Sequence, residues 1–487
     1  MRPRVQVGAA SACLWVVLSA LPLSGAQLRA GAAKAVITPD VKTSKVYMAG
    51  FDNNRVATGV HDDLYARCLA LAAGQETVAM CSVDLIGLFY DDVLRIRDQV
   101  KARAPEVTHV IVASTHNHEG PDTMGLWGPT PFVSGIDEKY LDGVDERIAA
   151  TAVEAVRSLQ PAQLTLGRDD HPLLAQLQGD ARPPYVKDPY LFVMRLVNDQ
   201  GKTIASLINF SDHPEVLGGK NTEITADYPY WLCRSVEEEL GGIAVFFDGA
   251  IGGLISPLGD QVALQMPETG EIAKDETWKK AELLGLALAG LAVRAVQGGE
   301  KVEVDALVVR QAVFFVPLEN DRFRVGGATG LYKNRKPLYT EGKLDASVGE
   351  KEFAGYGRLK YATGKDVQTE VNYLQLLGRG QIVAEIATLP GEIYPELING
   401  GIARYAGADF PDAPLEPTLR SHMKSKYQFV FGLGNDELGY IIPKAEWDDQ
   451  APWLQNKSER WYGEINSAGP ETAGAVTRGL VGLINAK

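Results

Sequence analysis

Residues 112–122 read Val-Ala-Ser-Thr-His-Asn-His-Glu-Gly-Pro-Asp and lead an apolar run into a sharp loop. The apolar run, His109–Ala113, predicts a buried strand. His116 and His118 are two residues apart, so in an extended chain their side chains lie on the same side. Gly120-Pro121 then ends the extended segment. The stretch therefore predicts a strand that delivers two histidines to a sheet edge, where α/β domains place their functional sites.

Strand-like and helix-like patterns alternate along the rest of the chain. Runs of apolar residues bounded by turns predict strands at Lys34–Ile37, Arg67–Leu71, Val78–Val83, His109–Ala113, Phe192–Val197, Thr203–Phe210, Ile243–Phe247, Gln381–Leu389 and Tyr427–Phe431. Apolar residues at three- and four-residue spacing favour helices at Asp91–Ala104, Glu138–Leu159, Tyr230–Leu240 and Glu276–Val296. This order predicts an α/β fold, with a layered mixed β-sheet, flanking helices and a metal site at the strand ends.

Polar residues follow four more of the predicted strands. Their exits carry His213, Glu392, Tyr440 and Ser256, in the loops after 203–210, 381–389, 427–431 and 243–247. Two or three histidines with one carboxylate and an open position form the composition of a catalytic zinc site. Iron and manganese accept the same ligand types. We therefore expect a metal centre, with zinc as the first candidate.

The first residues predict export from the cell. Arg2 and Arg4 precede an apolar run that extends from Val7 to about Leu23, and Ser24-Gly25-Ala26 supplies the small residues of a cleavage site. We predict a signal peptide over residues 1–26, cleaved near Ala26, and a secreted or periplasmic mature chain. Nothing later in the sequence is long and apolar enough to predict a transmembrane segment.

Charge and motifs exclude several classes of partner. The formal net charge is −14, and no basic stripe is present, so nucleic-acid binding is not expected. No glycine-rich phosphate loop follows a strand, so a nucleotide cofactor is not indicated. The expected partner is a small-molecule or lipid substrate.

Two further features leave alternatives open. Cys68 and Cys81 are equidistant from a predicted turn at Gly74-Gln75, so a hairpin would place them face to face, either bridged or as two reduced buried thiols. Residues 320–369 show little periodicity and are rich in Gly, Lys, Arg, Tyr and Asp. They predict a loop excursion within the domain 27–487 that either shapes the substrate mouth or lies on the surface.

Taken together, these motifs resemble the catalytic N-terminal domain of the neutral/alkaline (non-lysosomal) ceramidase family. The family's Thr-His-x-His-Ser-Gly-Pro segment corresponds to Thr115–Pro121. Its later motifs match, in the same order, Asn209–Pro214, Asp227-Tyr228-Pro229, Gly253–Pro257, Pro390–Glu392 and Gly439-Tyr440. The resemblance covers roughly residues 30–475, and the family's C-terminal β-domain has no counterpart in this sequence.

The resemblance implies a set of site residues and a reaction. One zinc ion would be held by His116, His213, Glu392 and Tyr440. His118 would carry a proton beside the substrate amide, Arg182 or Tyr462 would steady the developing oxyanion, and Ser256 would have a structural or positioning role. The implied function is a secreted zinc hydrolase of a ceramide-like N-acyl amide, acting through metal-bound hydroxide.

Two departures from the family pattern keep other functions open. Glu119 and Asp122 stand where the family has Ser and Gly, which predicts a more polar pocket and favours another secreted small amide, ester or lactone as substrate. A non-catalytic periplasmic binding protein is a further interpretation, since seven Trp and eighteen Tyr are available for recognition. That interpretation predicts no metal.

Overall fold

The structure is a computed structural model. It describes residues 27–254, 262–333, 335–345, 348–353, 357–362 and 364–486. The predicted signal peptide and Ser256 lie outside the described residues.

The strands and helices predicted from the sequence are present in the described chain, together with others that its patterns did not indicate. The strands are β1 (Arg29–Val36), β2 (Gly59–Val60), β3 (Tyr65–Ala73), β4 (Glu76–Val83), β5 (His109–Ser114), β6 (Gln160–Pro161), β7 (Gln163–Asp169), β8 (Leu191–Val197), β9 (Thr203–Phe210), β10 (Glu223–Ile224), β11 (Ile243–Asp248), β12 (Glu300–Val302), β13 (Ala306–Pro317), β14 (Tyr339–Thr340), β15 (Lys343–Leu344), β16 (Val348–Phe353), β17 (Gly357–Ala362), β18 (Asp366–Gly378), β19 (Gln381–Thr388), β20 (Glu392–Ile393), β21 (Gln428–Phe431) and β22 (Tyr440–Ile441). The α-helices are α1 (Tyr90–Arg103), α2 (Glu138–Arg157), α3 (Pro172–Gln176), α4 (Tyr228–Leu240), α5 (Trp278–Gln297), α6 (Asp321–Thr329), α7 (Pro395–Asn399), α8 (Leu419–His422), α9 (Tyr462–Ile465) and α10 (Thr472–Asn485).

Most strands belong to three mixed sheets. The strand orders are β5-β4-β3-β1-β6, then β11-β9-β8-β7-β12, then β15-β14-β18-β19-β21, with β13 also paired to β18. In each sheet the outermost pair at one edge is parallel, namely β4 with β5, β9 with β11, and β19 with β21. The predicted α/β fold with layered mixed sheets is confirmed.

The three sheets share one apolar core. Its side chains come from all three inner faces and include Leu69, Ile111, Leu207, Phe247, Ile386 and Phe431. Helices cover the outer faces: α1 and α2 pack on the first sheet, α4 and α5 on the second, and α7, α8 and α10 on the third. Because both faces are covered, the central strands are apolar almost throughout.

Buried amide side chains join the ends of the parallel strands. Asn209, in β9, donates hydrogen bonds to the main-chain oxygens of Phe247 and Val430, in β11 and β21. Asn435, after β21, accepts a hydrogen bond from the main-chain nitrogen of Val112 in β5. These contacts bring the carboxyl ends of strands from all three sheets to one place.

The stretch 320–369 contains α6 and the short strands β14 to β17.

None of the helices in the described part of the chain combines the length and apolar character that a membrane crossing requires.

The hairpin of β3 and β4 carries a disulfide. Cys68 and Cys81 are paired across the hairpin, with their Cα atoms 4.1 Å apart, and their sulfur atoms are bonded. The bridged alternative is therefore the one observed. Cys233 is a buried free cysteine in α4.

We expect the double substitution Cys68→Ala/Cys81→Ala to lower the free energy of unfolding by about 2–3 kcal/mol, because the bridge closes a short loop in the unfolded chain. Urea denaturation of the oxidised proteins measures this loss. Reductant should lower the stability of the wild type by the same amount and leave the double variant unchanged. A wild type that does not respond to reductant would contradict the prediction.

Candidate metal centre

Three histidines meet where β5 and β9 end. His116 and His118 follow β5, and His213 follows β9. Taking one ring nitrogen from each residue, the three atoms lie within 4.8 Å of one another. All three residues are more than nine-tenths buried. This group has the spacing and the donor atoms to hold a metal ion.

Main-chain carbonyls fix the orientation of two of these rings. Nδ1 of His116 lies 2.7 Å from the oxygen of Ile86, and Nδ1 of His213 lies 2.8 Å from the oxygen of Leu254. When Nδ1–H donates to a carbonyl, the lone pair remains on Nε2, which is the arrangement of metal-ligating histidines. His116 also has a φ of 60°, a left-handed conformation that costs a non-glycine residue about 1–2 kcal/mol.

Glu392 and Tyr440 enter the same site from a separate two-stranded sheet, which follows β19 and β21 of the third sheet. They are paired residues of β20 and β22, a two-stranded parallel ladder beyond the ends of β19 and β21. Oε2 of Glu392 lies 3.0 Å from Nε2 of His213 and 3.5 Å from Nε2 of His116. Burial would raise the pKa of Glu392, but the imidazoles of His116 and His213 and the Tyr440 hydroxyl hold it below its usual value.

The approach of β20 to β22 depends on Gly391. This residue has a φ of 152°, and a Cβ atom there would lie 2.6 Å from the main-chain oxygen of Gly439. A side chain would therefore push Glu392 away from Tyr440.

Burial and mutual charge set the pKa values in the group. Burial lowers the pKa of His116 to about 4, and burial together with the other two rings holds the pKa of His118 well below its usual value. Burial would also lower the pKa of His213, but its hydrogen bond to Glu392 and the charge of Glu215 raise it to about 9. In the protein alone, the His213–Glu392 pair therefore retains a proton at neutral pH.

Glu215 is a member of the site that sequence reasoning missed. Its Oε2 lies 3.3 Å from Nδ1 of His118, and burial raises the pKa of Glu215 to about 7. The only signal in the sequence is a carboxylate two residues after His213. Within the described chain, neither ring nitrogen of His118 has a hydrogen-bond partner.

A cavity opens above this cluster, with about 600 Å³ of empty space including its mouth. Its polar lining includes His116, His118, Glu392, Tyr440 and Tyr462. The apolar wall is formed by Ile86, Phe89, Met124, Leu126, Trp127, Phe323 and Tyr332. An outer groove shares part of this wall and adds Phe51, Phe132 and Val325. The site is thus a buried polar cluster at the floor of an apolar cavity.

Comparison with known proteins supports the architecture. No protein-family model matches the chain, and no curated protein matches it. Among solved structures, neutral ceramidase from Pseudomonas aeruginosa superimposes with a TM-score of 0.66 at 19% identity, over 94% of this chain and 74% of that one. A structure described as a ceramidase complexed with C2 gives 0.65 at 17% identity, over 94% and 75% of the two chains.

The chain has the neutral ceramidase fold. The resemblance drawn from the motifs is confirmed at the level of the fold, and it extends over nearly the whole described chain.

Within this ceramidase fold, the expectation that Glu119 and Asp122 make the pocket more polar is wrong. Glu119 does not line the cavity, because its carboxylate accepts hydrogen bonds from Arg55 and Asn221 at 3.1 and 2.8 Å. Asp122 accepts hydrogen bonds from the main-chain nitrogens of the loop that follows it: Met124, Gly125 and Trp127. Both carboxylates are bound inside the protein, so neither of them adds polar surface to the cavity wall.

The two residues expected to steady the oxyanion occupy different places. Tyr462 lines the cavity, and its ring centroid lies 5.8 Å from that of Tyr440. Arg182 is not among the residues that line the cavity in the described structure. Its guanidinium donates to the carboxylate of Glu464 at 2.6 Å and to the main-chain oxygen of Glu446 at 2.5 Å.

We expect Glu119→Leu to lower the free energy of unfolding by about 3–5 kcal/mol, because it leaves the buried Arg55 guanidinium without its carboxylate. The double substitution Arg55→Met/Glu119→Leu should recover part of that loss, since it removes both charges. Urea denaturation of the three proteins measures the difference. A double variant less stable than Glu119→Leu would contradict the assignment.

Proposed function

We propose that the chain is a metal-dependent hydrolase that cleaves the N-acyl amide bond of a ceramide-like lipid. The observation that carries this proposal is the cluster of three histidines at the floor of an apolar cavity. The cluster provides metal-ligand chemistry, and the cavity provides a dry surface for an acyl chain. The neutral ceramidase fold supports the same conclusion.

The residues fit a metal ion. Nε2 of His116 and of His213 face one carboxylate oxygen of Glu392, and the Nδ1 atoms of both histidines are engaged by carbonyls. We propose that His116, His213, Glu392 and Tyr440 hold a single ion. Nitrogen and oxygen donors of these types suit zinc first, with iron and manganese as alternatives. When bound, the ion supplies Lewis acidity that polarises a carbonyl and acidifies water.

We propose that His118 transfers a proton during the reaction. It also belongs to the group of three histidines that could hold the ion. The carboxylate of Glu215 stands at its Nδ1, which leaves Nε2 to deliver a proton to the leaving nitrogen.

Tyr462 is proposed to donate its hydroxyl proton in a hydrogen bond to the carbonyl oxygen of the substrate. It is the first residue of α9, which also contains Glu464. Because Arg182 binds Glu464, we propose that Arg182 positions Tyr462 and does not itself contact the substrate.

Secretion is part of the proposal. The basic and apolar start of the chain supports a signal peptide over residues 1–26. The Cys68–Cys81 disulfide is consistent with an oxidising compartment, where such bridges persist.

We expect the purified protein to contain about one zinc equivalent and to hydrolyse N-acyl sphingosine, because four candidate ligands converge on one site. His116→Ala should lose both the metal and the activity. Mass spectrometry of the metal and chromatography of the released fatty acid measure these two properties. His422→Ala, a histidine in α8 outside the cluster, serves as the control and should keep both. Full activity in metal-free wild type would refute the proposal.

The acyl-chain preference separates the proposed substrate from the alternatives. A series of N-acyl substrates from short to long chains should show a rise in kcat/KM with length, because most residues of the cavity wall and many of the outer groove are apolar. A preference for the shortest chains would favour another small amide, ester or lactone. A protein that binds ligands without metal or hydrolysis would be a binding protein.

Metal binding at neutral pH should release about one proton, because the pKa of His213 in the protein alone is about 9. The apparent affinity should therefore rise by about tenfold per pH unit between pH 7 and pH 9 and then level off. Competition with a chelator, corrected for the chelator's own protonation, measures the affinity, and calorimetry in two buffers counts the proton. An affinity that does not change with pH would contradict this assignment.

A further inference from the structure

The ring of His118 is held differently from the other two rings of the cluster. Nδ1 of His116 and Nδ1 of His213 each lie at hydrogen-bonding distance from a main-chain oxygen, whereas neither ring nitrogen of His118 has a hydrogen-bond partner in the described chain. A side chain without such a bond keeps one orientation only when its surroundings pack it in place. The position of His118 therefore depends on the segments that border it.

One of these segments, residues 49–51, packs directly against the His118 ring. Gly50 has a φ of 97°, and a Cβ atom there would lie 2.4 Å from Cγ of His118. The ring of Phe51 meets the His118 ring edge to face, with the two centroids 5.1 Å apart. The main chain at Gly50 and the ring of Phe51 therefore limit where the imidazole can lie.

The buried guanidinium of Arg55 joins this segment to the main chain of His118. Nη2 of Arg55 donates hydrogen bonds to the main-chain oxygens of Ala49 and His118. Nη1 donates to the carboxylate of Glu119 at 3.1 Å. The guanidinium carbon lies 4.8 Å from the centroid of the Phe51 ring. Arg55 therefore contacts both the segment that packs on the imidazole and the backbone that carries it.

The same guanidinium reaches the loop that carries Glu215. The main-chain nitrogen of His118 donates to the oxygen of Pro214 at 3.1 Å, and Oε2 of Glu215 lies 3.3 Å from Nδ1 of His118. Further along this loop, the main-chain oxygen of Gly218 lies 3.5 Å from Nη1 of Arg55. Arg55 is not among the residues that line the cavity in the described structure. It therefore acts on His118 from behind the cavity floor.

We propose that Arg55 is a positioning residue that holds the His118 ring in place for proton transfer to the leaving nitrogen. This inference rests on the proposed function. In that reaction, water adds to the carbonyl carbon, and one of its protons passes to Nε2 of His118. The C–N bond then breaks, and the nitrogen keeps the bonding electron pair and takes the proton from Nε2, which gives a carboxylic acid and an amine. A displacement of the imidazole by about 1 Å would slow these transfers by roughly 100-fold.

The double substitution Arg55→Met/Glu119→Leu removes the contacts of the guanidinium without leaving one charge of the pair buried alone. Two substrates with the same acyl chain then separate proton transfer from a general defect. One is the amide of an alkylamine, whose nitrogen must be protonated to leave, and the other is the 4-nitrophenyl ester, whose oxygen leaves as an anion.

We expect the double variant to lose roughly 100-fold in kcat on the amide and less than about threefold in kcat on the ester. KM should change little, because Arg55 does not line the cavity. Equal losses of kcat on both substrates, or no loss on the amide, would overturn the inference.

Arg55→Lys is a milder variant that preserves the charge opposite Glu119. A single ammonium group cannot bridge the oxygens of Ala49 and His118 with the geometry of the guanidinium fork. The same selective loss of kcat on the amide is expected, at roughly tenfold. This variant tests the inference even if the double variant folds poorly.

Arg67 and Glu237 form a matched control pair. Nη1 of Arg67 donates to Oε1 of Glu237 at 2.7 Å and to the main-chain oxygen of Ala244 at 3.3 Å, so it binds a carboxylate and a main-chain oxygen as Arg55 does. Neither residue of the pair lines the cavity. Arg67→Met/Glu237→Leu should keep the wild-type ratio of kcat on the two substrates. The same selective loss in this control would overturn the inference.

Crystal structures test the inference apart from hydrolysis. In Arg55→Met/Glu119→Leu the His118 ring should be displaced or occupy two orientations, while His116 and His213 keep their places. If the wild type hydrolyses neither substrate, the proposed function fails, and the position of His118 in the variant still decides whether Arg55 positions it. A His118 ring that stays in its wild-type position would overturn the inference.

Discussion

The contact of Glu392 with His116 and His213 is the interaction on which the rest of this site depends. A carboxylate buried at this depth is stable only with charge or hydrogen bonds around it. Here the two imidazoles and the Tyr440 hydroxyl provide them. The partners follow strands of three different sheets, so the contact can form only when all three sheets are in place. The geometry of the site therefore depends on the packing of the whole domain.

Parallel strand pairs at the sheet edges bring the residues of the site together. In a parallel pair both strands end at the same edge, so the loops that follow them are neighbours. The pairs β4–β5, β9–β11 and β19–β21 each have this property, and buried amides such as Asn209 join one pair to the next. The short ladder between Glu392 and Tyr440 then continues the third pair into the site.

Buried carboxylates have different roles within a short distance of one another. Glu119 compensates Arg55, and Asp122 satisfies the nitrogens of a loop, so both stabilise the frame around the histidines. Glu215 faces His118, and Glu437 accepts a hydrogen bond from the main-chain nitrogen of Gly439. The residue type is the same in each case or differs by one methylene. The role of each carboxylate depends on the hydrogen-bond donor that the fold places opposite it. The sequence pattern alone does not identify that donor.

The sequence alone determined nine of the strands, the helices that cover the first two sheets and most of the polar residues at the strand exits, because apolar periodicity and turn residues are local properties. It also predicted that Cys68 and Cys81 lie opposite each other in a hairpin, because they are equidistant from a predicted turn. It did not reveal β18, where Glu370 interrupts the apolar run and is buried against Arg97, 273 residues away in the chain. Only the tertiary structure decided that Glu119 turns inward, that Arg182 lies behind the cavity wall and that Glu215 meets His118. Those outcomes depend on partners brought together by the packing of three sheets, and the direction of a side chain in a loop is set by such partners.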